Sequence, residues 1–364
     1  MSCIAIVTRA RAPYLRDLQE AFAQEIDAGS LHILWPDGEP SDFDDGSTTP
    51  QGSNLTIHTI SSCPVLGRRF PSSQMWSILD KIQPDLVWIH EFSPFTLGGL
   101  LYAKRHRIPV VESTEVGQSN ARFFSAAVRV WHFLWGHLVD GIIANAPAAR
   151  NSLSGERRPV VDAFHAVDSR HFSPPARLDF DSAPITFVVV GKLIARKGTD
   201  LLLKAASRLR QLTDTAFRIR FVGSDPGGWG RSLVTQLQLD DCVEFPGFLQ
   251  GDALMQTIAS ADAFVLPTRQ DTYAAVVHEA ACLGLPLLVS IHAGACEALV
   301  EEGTTGSAID PENTETFAQT MKTLCENPEL RRSMSQASRA AGERFSAHQR
   351  AAAITRWMHH EFSL

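Results

Sequence analysis

With 364 residues, 44% of them apolar and 20% charged, the chain is long enough for about two domains that each bury a core. A formal net charge of −7 without any polybasic run argues against nucleic acid as a main partner. The six cysteines, at 3, 63, 242, 282, 296 and 325, form no CxxC pair and no cysteine–histidine cluster; they exclude a disulfide framework or a zinc site and predict reduced core thiols in a cytoplasmic protein.

The opening MSCIAIVTRARAPYL reads as a first strand, because the apolar stretch before its first charge is too short for a signal peptide. No window approaches the roughly 18 uninterrupted apolar residues of a spanning helix, so any membrane contact is expected to be peripheral. Strand-like runs follow: LHILW (31–35), LTIHTI (55–60), DLVWIH (85–90), IPVVES (108–113), GIIAN (141–145) and PVVDAF (159–164), with helical patterns such as YLRDLQEAFAQEI and TLGGLLYAKRH between them. The acidic, Gly/Ser/Pro-rich stretch 37–54 is a loop. The aromatic segment ARFFSAAVRVWHFLWGHLVDG (121–141) predicts a buried helix; the alternative is an interfacial helix anchored by Trp131, Phe133 and Trp135 on a membrane or lipid acceptor.

The segment 169–184, SRHFSPPARLDFDSAP, reads as a linker. A second alternation begins beyond it, with strands ITFVVVG (185–191), FRIRFVG (217–223), CVEFPGF (242–248), AFVLPT (263–268) and PLLVS (286–290) separated by helices, the last amphipathic helices running from about 313 to the end. Near-continuous apolar strands alternating with helices predict parallel sheets covered on both faces. The expected architecture is α/β: two Rossmann-like doubly wound domains, residues 1–170 and 171–345, facing each other across a cleft.

Parallel sheets bind ligands at the carboxyl ends of their strands. In VVVGKLIARKGTDLLLKA (188–205), Gly191 is followed by Lys192, Arg196, Lys197 and Gly198, with a helix opening at Thr199 or Asp200, either of which could cap it. A glycine, lysines and a helix N-terminus together make an anion site, with solvated surface lysines beside a capped helix as the equal alternative; neither GxxxxGK[ST] nor GxGxxG is present. In DTYAAVVHEAACLGLP (271–286), Asp271 precedes a helix and Glu279 lies two turns inside it, offset by roughly 80°. The surrounding valines and alanines predict that Glu279 is buried. Taken alone, Asp271 would serve as an N-cap. Two acids at different depths suit an extended polyol better than a metal pair. A third strand end, SIHAGACEALVEEGTTG (290–306), places Glu297 early in a helix, though turn chemistry explains its glycines equally well. Phosphate-favouring corners with hydroxyl-binding acids describe a nucleotide-sugar. No Cys/His dyad, GxSxG elbow or HExxH suggests other chemistry.

Together these segments resemble retaining glycosyltransferases of the GT-B fold, family 4 (glycosyl transferases group 1), over most of 185–345 and more loosely over the first half. GKLIARKGTDLLLKA resembles the "GRL…EKG…LL" phosphate segment, and DTYAAVVHEAACLGLPLLVS the E-x7-E motif. CVEFPGF with DALMQTIASADAFVLPT resembles the base-side loop and following strand, AGACEALVEEGTTG the "GGxxEVVxxGxxG" turn, and HAVDSRHFSPP (165–175) the "NGVDxxxFxP" junction element. The resemblance implies that Lys192 and Lys197, beside Gly191, neutralise the donor diphosphate. It further implies that Glu279 holds the ribose, that Asp271 contacts donor-sugar hydroxyls, that the backbone of Tyr273, Ala274 and Ala275 meets phosphate or sugar, and that Gly247 and Phe248 lie near the base. No metal or other cofactor is expected. The C-terminal segment 346–364 is expected to be a helix crossing back to the first domain.

The departures from the pattern are local. Asp271 stands where Glu is usual, Thr272 and Ala274 replace glycines, Lys192 replaces arginine, and the first strand runs into TRARAPYL instead of a Gly-Gly loop. Where the family often has a histidine after the strand matching IPVVES, this chain has STEVG, which makes Glu115 an acceptor-side or catalytic candidate; His90, ending DLVWIH, is the other, with a plain hydrogen-bonded strand-end histidine as its alternative. The expected reaction is sugar transfer with retention from a nucleotide diphosphate sugar, UDP favoured over GDP, to a glycan, glycolipid or other hydroxyl acceptor. Basic residues in TRARAPYLR, GRRF and YAKRHR are compatible with an anionic or lipid-linked acceptor at the inner membrane face, and scattered solvated arginines explain them as readily. A nucleotide-sugar-binding scaffold without efficient transfer is the alternative, and an epimerase ranks third. No expectation of oligomeric state follows.

Overall fold

The computed structural model describes residues 2–9, 11–26, 29–38, 49–65, 68–117, 126–153, 155–168, 172, 180 and 184–364, without the side chains of 13, 64, 65, 68, 69, 127, 128 and 131–133. Two compact units emerge: Met1–Asp168 with Ser346–Leu364, and Ser169–Phe345.

Unit 1 runs β1 (Cys3–Val7), α1 (Pro13–Glu25), β2 (Ser30–Pro36), β3 (Leu55–Ile60), β4 (Ser62–Val65), β5 (Arg68–Pro71), α2 (Gln74–Ile82) and β6 (Leu86–His90). It continues with α3 (Pro94–His106), β7 (Val110–Thr114), α4 (Ala126–Trp135), β8 (Gly141–Ala144), α5 (Pro147–Ser152) and β9 (Val160–Asp162). Unit 2 comprises β10 (Ile185–Val190), α6 (Thr199–Leu212), β11 (Phe217–Val222), α7 (Trp229–Gln236), β12 (Val243–Gly247), α8 (Gly251–Ala259) and β13 (Ala263–Leu266). After these come α9 (Ala275–Cys282), β14 (Leu287–Ser290), α10 (Gly294–Leu299), β15 (Gly306–Ile309), α11 (Thr314–Glu326) and α12 (Pro328–Arg344); α13 (Ala347–Phe362) returns to unit 1.

Among the described residues unit 1 holds a seven-stranded parallel sheet in the order β3-β2-β1-β6-β7-β8-β9, and unit 2 a six-stranded one ordered β12-β11-β10-β13-β14-β15. Alternate strand residues point to opposite faces, and here both faces are buried. Ile4 and Ile6 of β1 pack toward α1 and α13 with Phe22, Ile354 and Met358. Ala5 and Val7 pack toward α2 and α3 with Met75, Leu79 and Phe95. In unit 2, Phe187 and Val189 of β10 meet Leu202 and Leu209 of α6 and Phe317 and Met321 of α11. The two Rossmann-like units agree with the expected α/β class.

Several local expectations fail. The hairpin β4–β5 is antiparallel and was not anticipated, because proline and arginine interrupt its apolar pattern. β15 is a four-residue strand of GSAI, too short to show a period. Helix α6 is capped by Gly198, at φ 72°, and neither Thr199 nor Asp200 serves. Cys63 is exposed and Cys3 half-buried, so the core-thiol expectation holds for 242, 282, 296 and 325 alone. Burial pushes the thiols of Cys242 and Cys296 up to about 11. The buried-helix expectation for 121–141 fails at Val130 and Leu134, which are 52% and 48% exposed, while Trp135 packs against the core. Residues 118–125, the side chains of Trp131 and Phe133, most of the 37–54 loop and most of the 169–184 linker lie outside the described residues. Among the described residues no helix is long and apolar enough to cross a membrane.

Gly198 is the tightest of the turns that shape unit 2. Its φ lies in the left-handed region, and a Cβ there would sit 1.8 Å from the carbonyl oxygen of Pro267. Gly198→Ala should lower the stability of unit 2 by about 3 kcal/mol or more, combining left-handed strain with backbone overlap. Urea unfolding monitored against the wild type tests this; an unchanged midpoint would contradict it.

Candidate functional site

Strands β10 and β13 are hydrogen-bonded neighbours, so the loops at their carboxyl ends emerge side by side. The first loop turns at Gly191, makes a short 3-10 turn at Ala195–Lys197 and enters α6 through Gly198. The second runs from Pro267 to Ala274 and enters α9. Arg269 ties them. Its guanidinium grips Asp200 with two nitrogens at 2.7 and 2.9 Å, bonds Glu312 at 2.8 Å through Nε, and donates to the carbonyl of Ala195 at 2.6 Å. The Arg269 fork holds the Asp200 carboxyl below the usual carboxylate range. Arg196 returns the tie by donating to the carbonyl of Gln270 at 3.0 Å.

This arrangement brings Lys197 and Asp271 together: Nζ lies 2.5 Å from Oδ2, with the side chains 21% and 13% exposed. The Lys197 stem passes over Gly191, its Cε 3.8 Å from where a Cβ would project. Lys192, on the same loop, is exposed. Asp271 is also fixed through its backbone. Its N–H donates to His292 at 3.1 Å, its carbonyl accepts from Gly294 at 3.3 Å, and the carbonyl of Tyr273 accepts from Ala295 at 2.8 Å. A Cβ on Gly294 would lie 2.2 Å from the carbonyl oxygen of Thr272, which is why the strand–helix turn needs glycine there.

Asp271 is not the N-cap of α9. That position belongs to Ala274, at φ 71° and ψ 72°, and no side chain caps the helix. Both α6 and α9 therefore open on left-handed residues without a side-chain cap, and their first-turn amides stand beside the Lys197–Asp271 pair. Tyr273 is 2% exposed, while Ala274 and Ala275 are half-buried. Glu279 is also half-buried, not fully enclosed as expected, because the packed face of α9 is formed by Val277, His278, Ala280 and Ala281. His278 is bonded to the carbonyl of Gly342 in α12 at 2.9 Å, turning Glu279 to a different side of the helix. Gly247 ends the edge strand β12 at φ 87°, its carbonyl accepting from Gly223 at 2.8 Å, and Phe248 beyond it is 62% exposed.

His90 and Glu115 belong to unit 1, at the carboxyl ends of the neighbouring strands β6 and β7. His90 is buried, with Nδ1 2.8 Å from Ser113 Oγ, and burial pushes its imidazole below its ordinary value, favouring the neutral ring. Glu115 bonds His165 through its carboxylate, and its N–H donates to Glu91 at 2.6 Å. Glu91, His165 and Arg269 were not singled out from the sequence, and Asp200 only as a possible helix cap. Glu91 directly follows β6 and Arg269 lies three residues beyond the end of β13, and this nearness to strand ends is the one signal that pointed to them. Among the described residues no group of three or more His, Cys, Asp and Glu side chains could hold a metal ion.

Two measurements follow from this geometry. Ala274→Gly should stabilise unit 2 by about 0.5–1 kcal/mol, since relief of left-handed strain, about 1–2 kcal/mol, exceeds the added chain entropy of glycine; a lower melting temperature would reject the strain. His90 binds protons more weakly folded than unfolded, so its contribution to stability is present above about pH 6.5 and is lost as pH falls below it. Buried Glu112, whose carboxyl burial pushes well up, acts with the opposite sign, losing stability as pH rises above its ordinary range. Denaturation of His90→Gln between pH 7 and 5 should therefore show a shallower loss than the wild type.

Residues 175–341 match the family model described as "Glycosyl transferases group 1". A GDP-mannose-dependent alpha-mannosyltransferase of Corynebacterium glutamicum is 29% identical over 272 residues, which is 70% of this chain and 62% of that protein. The chain thus spans less than two thirds of that relative's length. Two solved structures are similar along the whole chain. The sucrose-phosphate synthase from Thermosynechococcus elongatus has a TM-score of 0.76 at 17% identity, covering 100% of both chains. Anabaena Alr3699/HepE, in complex with UDP and glucose, has 0.73 at 18%, covering 98% of this chain and 99% of that one. At such identities the structural likeness concerns the fold. The match to the glycosyl transferases group 1 family thus covers residues 175–341, and the chain has the two Rossmann-like domains of the GT-B fold.

Proposed function

We propose that the protein is a retaining glycosyltransferase that moves a sugar from a nucleotide diphosphate sugar to an acceptor hydroxyl. The observation that carries this reading is the corner where β10 and β13 end: one lysine, one carboxylate and two uncapped helix N-termini converge within one tied pair of loops. A diphosphate there would meet Lys197, the exposed Lys192 and the first-turn amides of α6 and α9, while Asp271, exchanging its lysine for a ligand, would accept hydrogen bonds from sugar hydroxyls. Glu279, half-buried on α9, is the ribose acceptor in this reading, and Gly247 with Phe248 borders the base.

In the reaction, the acceptor oxygen bonds to the anomeric carbon on the face from which the phosphate oxygen departs. The acceptor proton passes to that departing oxygen, so the step needs positioning and charge stabilisation more than a dedicated base. The lysines and helix N-termini supply the positive field without a resident metal. Acceptor contacts fall to unit 1, where His90 and Glu115 lie. The exposed Val130 and Leu134 of α4 suit an acceptor held at a lipid surface.

The Corynebacterium relative is named for GDP-mannose and the Anabaena structure contains UDP, so the base is tested first. Titration calorimetry with UDP, GDP and ADP should show one of them binding; silence from all three rejects the proposal. Glu279→Ala should weaken that nucleotide about 10- to 100-fold. Lys197→Ala should lower kcat by about 100-fold with little change in acceptor KM, and the opposite split would remove this lysine from the diphosphate.

A further inference from the structure

The two strand-end loops of unit 2 are fastened to each other immediately beside the Lys197–Asp271 pair. The carbonyl of Arg196 accepts the N–H of Arg269 at 2.9 Å. The buried hydroxyl of Thr268 lies between that carbonyl, at 3.0 Å, and the carbonyl of Gln270, at 2.9 Å. One residue further along each loop come Lys197 and Asp271. The N–H of Lys197 donates to the carbonyl of Ile194 at 3.0 Å, and Asp271 pairs with Ala293 in an isolated parallel bridge. Both backbones are thereby fixed, so the contact between the two side chains opens by rotation about side-chain bonds. The carboxylate of an aspartate stays close to its own backbone, while the ammonium of a lysine swings on a four-carbon stem. As folded, Asp271 sits on the ammonium that meets the diphosphate in the proposed reaction.

We propose that Asp271 is a selectivity residue that sets a nucleotide-sugar apart from the bare nucleoside diphosphate left after transfer. Its carboxylate yields Lys197 to a ligand that offers hydroxyls in exchange, and competes for Lys197 against a ligand that offers none. This deepens the transferase reading and rests on it. An ionised carboxylate accepts hydrogen bonds and donates none. The sugar of a nucleotide-sugar carries hydroxyl donors, so Asp271 replaces one charge-assisted bond with others of the same kind. The terminal phosphate of a nucleoside diphosphate, like other phosphate monoesters, carries about 1.5 to 2 negative charges at pH 7 and presents acceptor oxygens. It gives Asp271 no partner, and its charge repels the carboxylate. Both side chains of the pair are mostly buried, where charges are screened less than in open water. The bare diphosphate is therefore the disfavoured occupant of the corner, and the return of Asp271 to Lys197 promotes its departure.

Calorimetric affinities for UDP, GDP and ADP, and for UDP-glucose, GDP-mannose and ADP-glucose, are compared in wild type, Asp271→Asn, Asp271→Ser, Lys197→Ala and the Lys197→Ala/Asp271→Asn double variant. Melting temperatures establish which variants are folded. For whichever diphosphate binds, Asp271→Asn and Asp271→Ser should each tighten affinity about 10-fold, while affinity for the matching nucleotide-sugar stays unchanged or falls. On the Lys197→Ala background Asp271→Asn should tighten diphosphate binding less than about 3-fold, because no ion pair remains to be opened. Unchanged or weaker diphosphate binding by the folded Asn and Ser variants overturns the proposal. So does an equal gain for the nucleotide-sugar, or an equal gain with and without Lys197, either of which reduces Asp271 to a general negative charge. Diphosphate binding by none of the proteins instead removes the transferase reading beneath it.

Discussion

The paired loops of unit 2 depend on one guanidinium. Arg269, on the second loop, bonds the carboxylate of Asp200 and the main-chain carbonyl of Ala195, 69 and 74 residues earlier in sequence, and the carboxylate of Glu312 further along the chain. Loops at strand ends are otherwise the mobile parts of an α/β sheet. A planar fork with five donors can restrain two of them at once, which a lysine's point charge cannot. With the loops so held, Lys197 and Asp271 need no search to meet. Asp271 is short by one methylene compared with the usual glutamate, and in this protein that acid reaches back to the lysine. Any anion entering the corner competes with a carboxylate already seated there, so its binding reflects the difference between two charge pairs.

Much of the sheet framework was legible because buried parallel strands are nearly continuous apolar runs, such as LVWIH of β6, buried at all five positions. What escaped was short or locally contradictory. β15 has four residues, and the hairpin β4–β5 carries proline and paired arginines. The candidate site was legible as polar residues at strand ends, but not as partners. Lys197 and Asp271 are 74 positions apart, and only the adjacency of β10 and β13 brings them together. Caps were misread for a physical reason: Thr199, Asp200 and Asp271 are all good caps by type, yet Gly198 and Ala274 occupy the cap positions with left-handed backbones. Asp200 is drawn to Arg269 and Asp271 to Lys197. Burial of Glu279 was overestimated because flanking valines and alanines report the packed face of a helix, not the position beside it.

Unit 1 organises its polar residues differently. Where α6 and α9 of unit 2 open without a side-chain cap, unit 1 closes α3 with a capping box, Ser93 accepting from Thr96 at 3.1 Å and Thr96 accepting from Ser93 at 2.8 Å. Thr96 also donates to the carbonyl of Glu91 at 2.7 Å, so the cap of α3 supports a residue whose φ of 56° is left-handed and whose carboxylate holds the backbone of Glu115. Helix capping and backbone strain are thus part of one continuous set of bonds at the carboxyl end of β6.

Helix α13 ends the described chain but completes the first unit, contributing Ala347, Ala351, Ile354 and Met358 to the apolar layer over Phe22 and Ile26 of α1. Gly141 admits this helix, since a Cβ there would lie 2.8 Å from the ring of Trp357. During synthesis, about 180 residues must leave the ribosome between the last strand of the first sheet and the helix that covers it. Until then α1 presents an uncovered apolar stripe. Unit 2 can finish folding as a continuous stretch of chain, so the domain made first is the one sealed last.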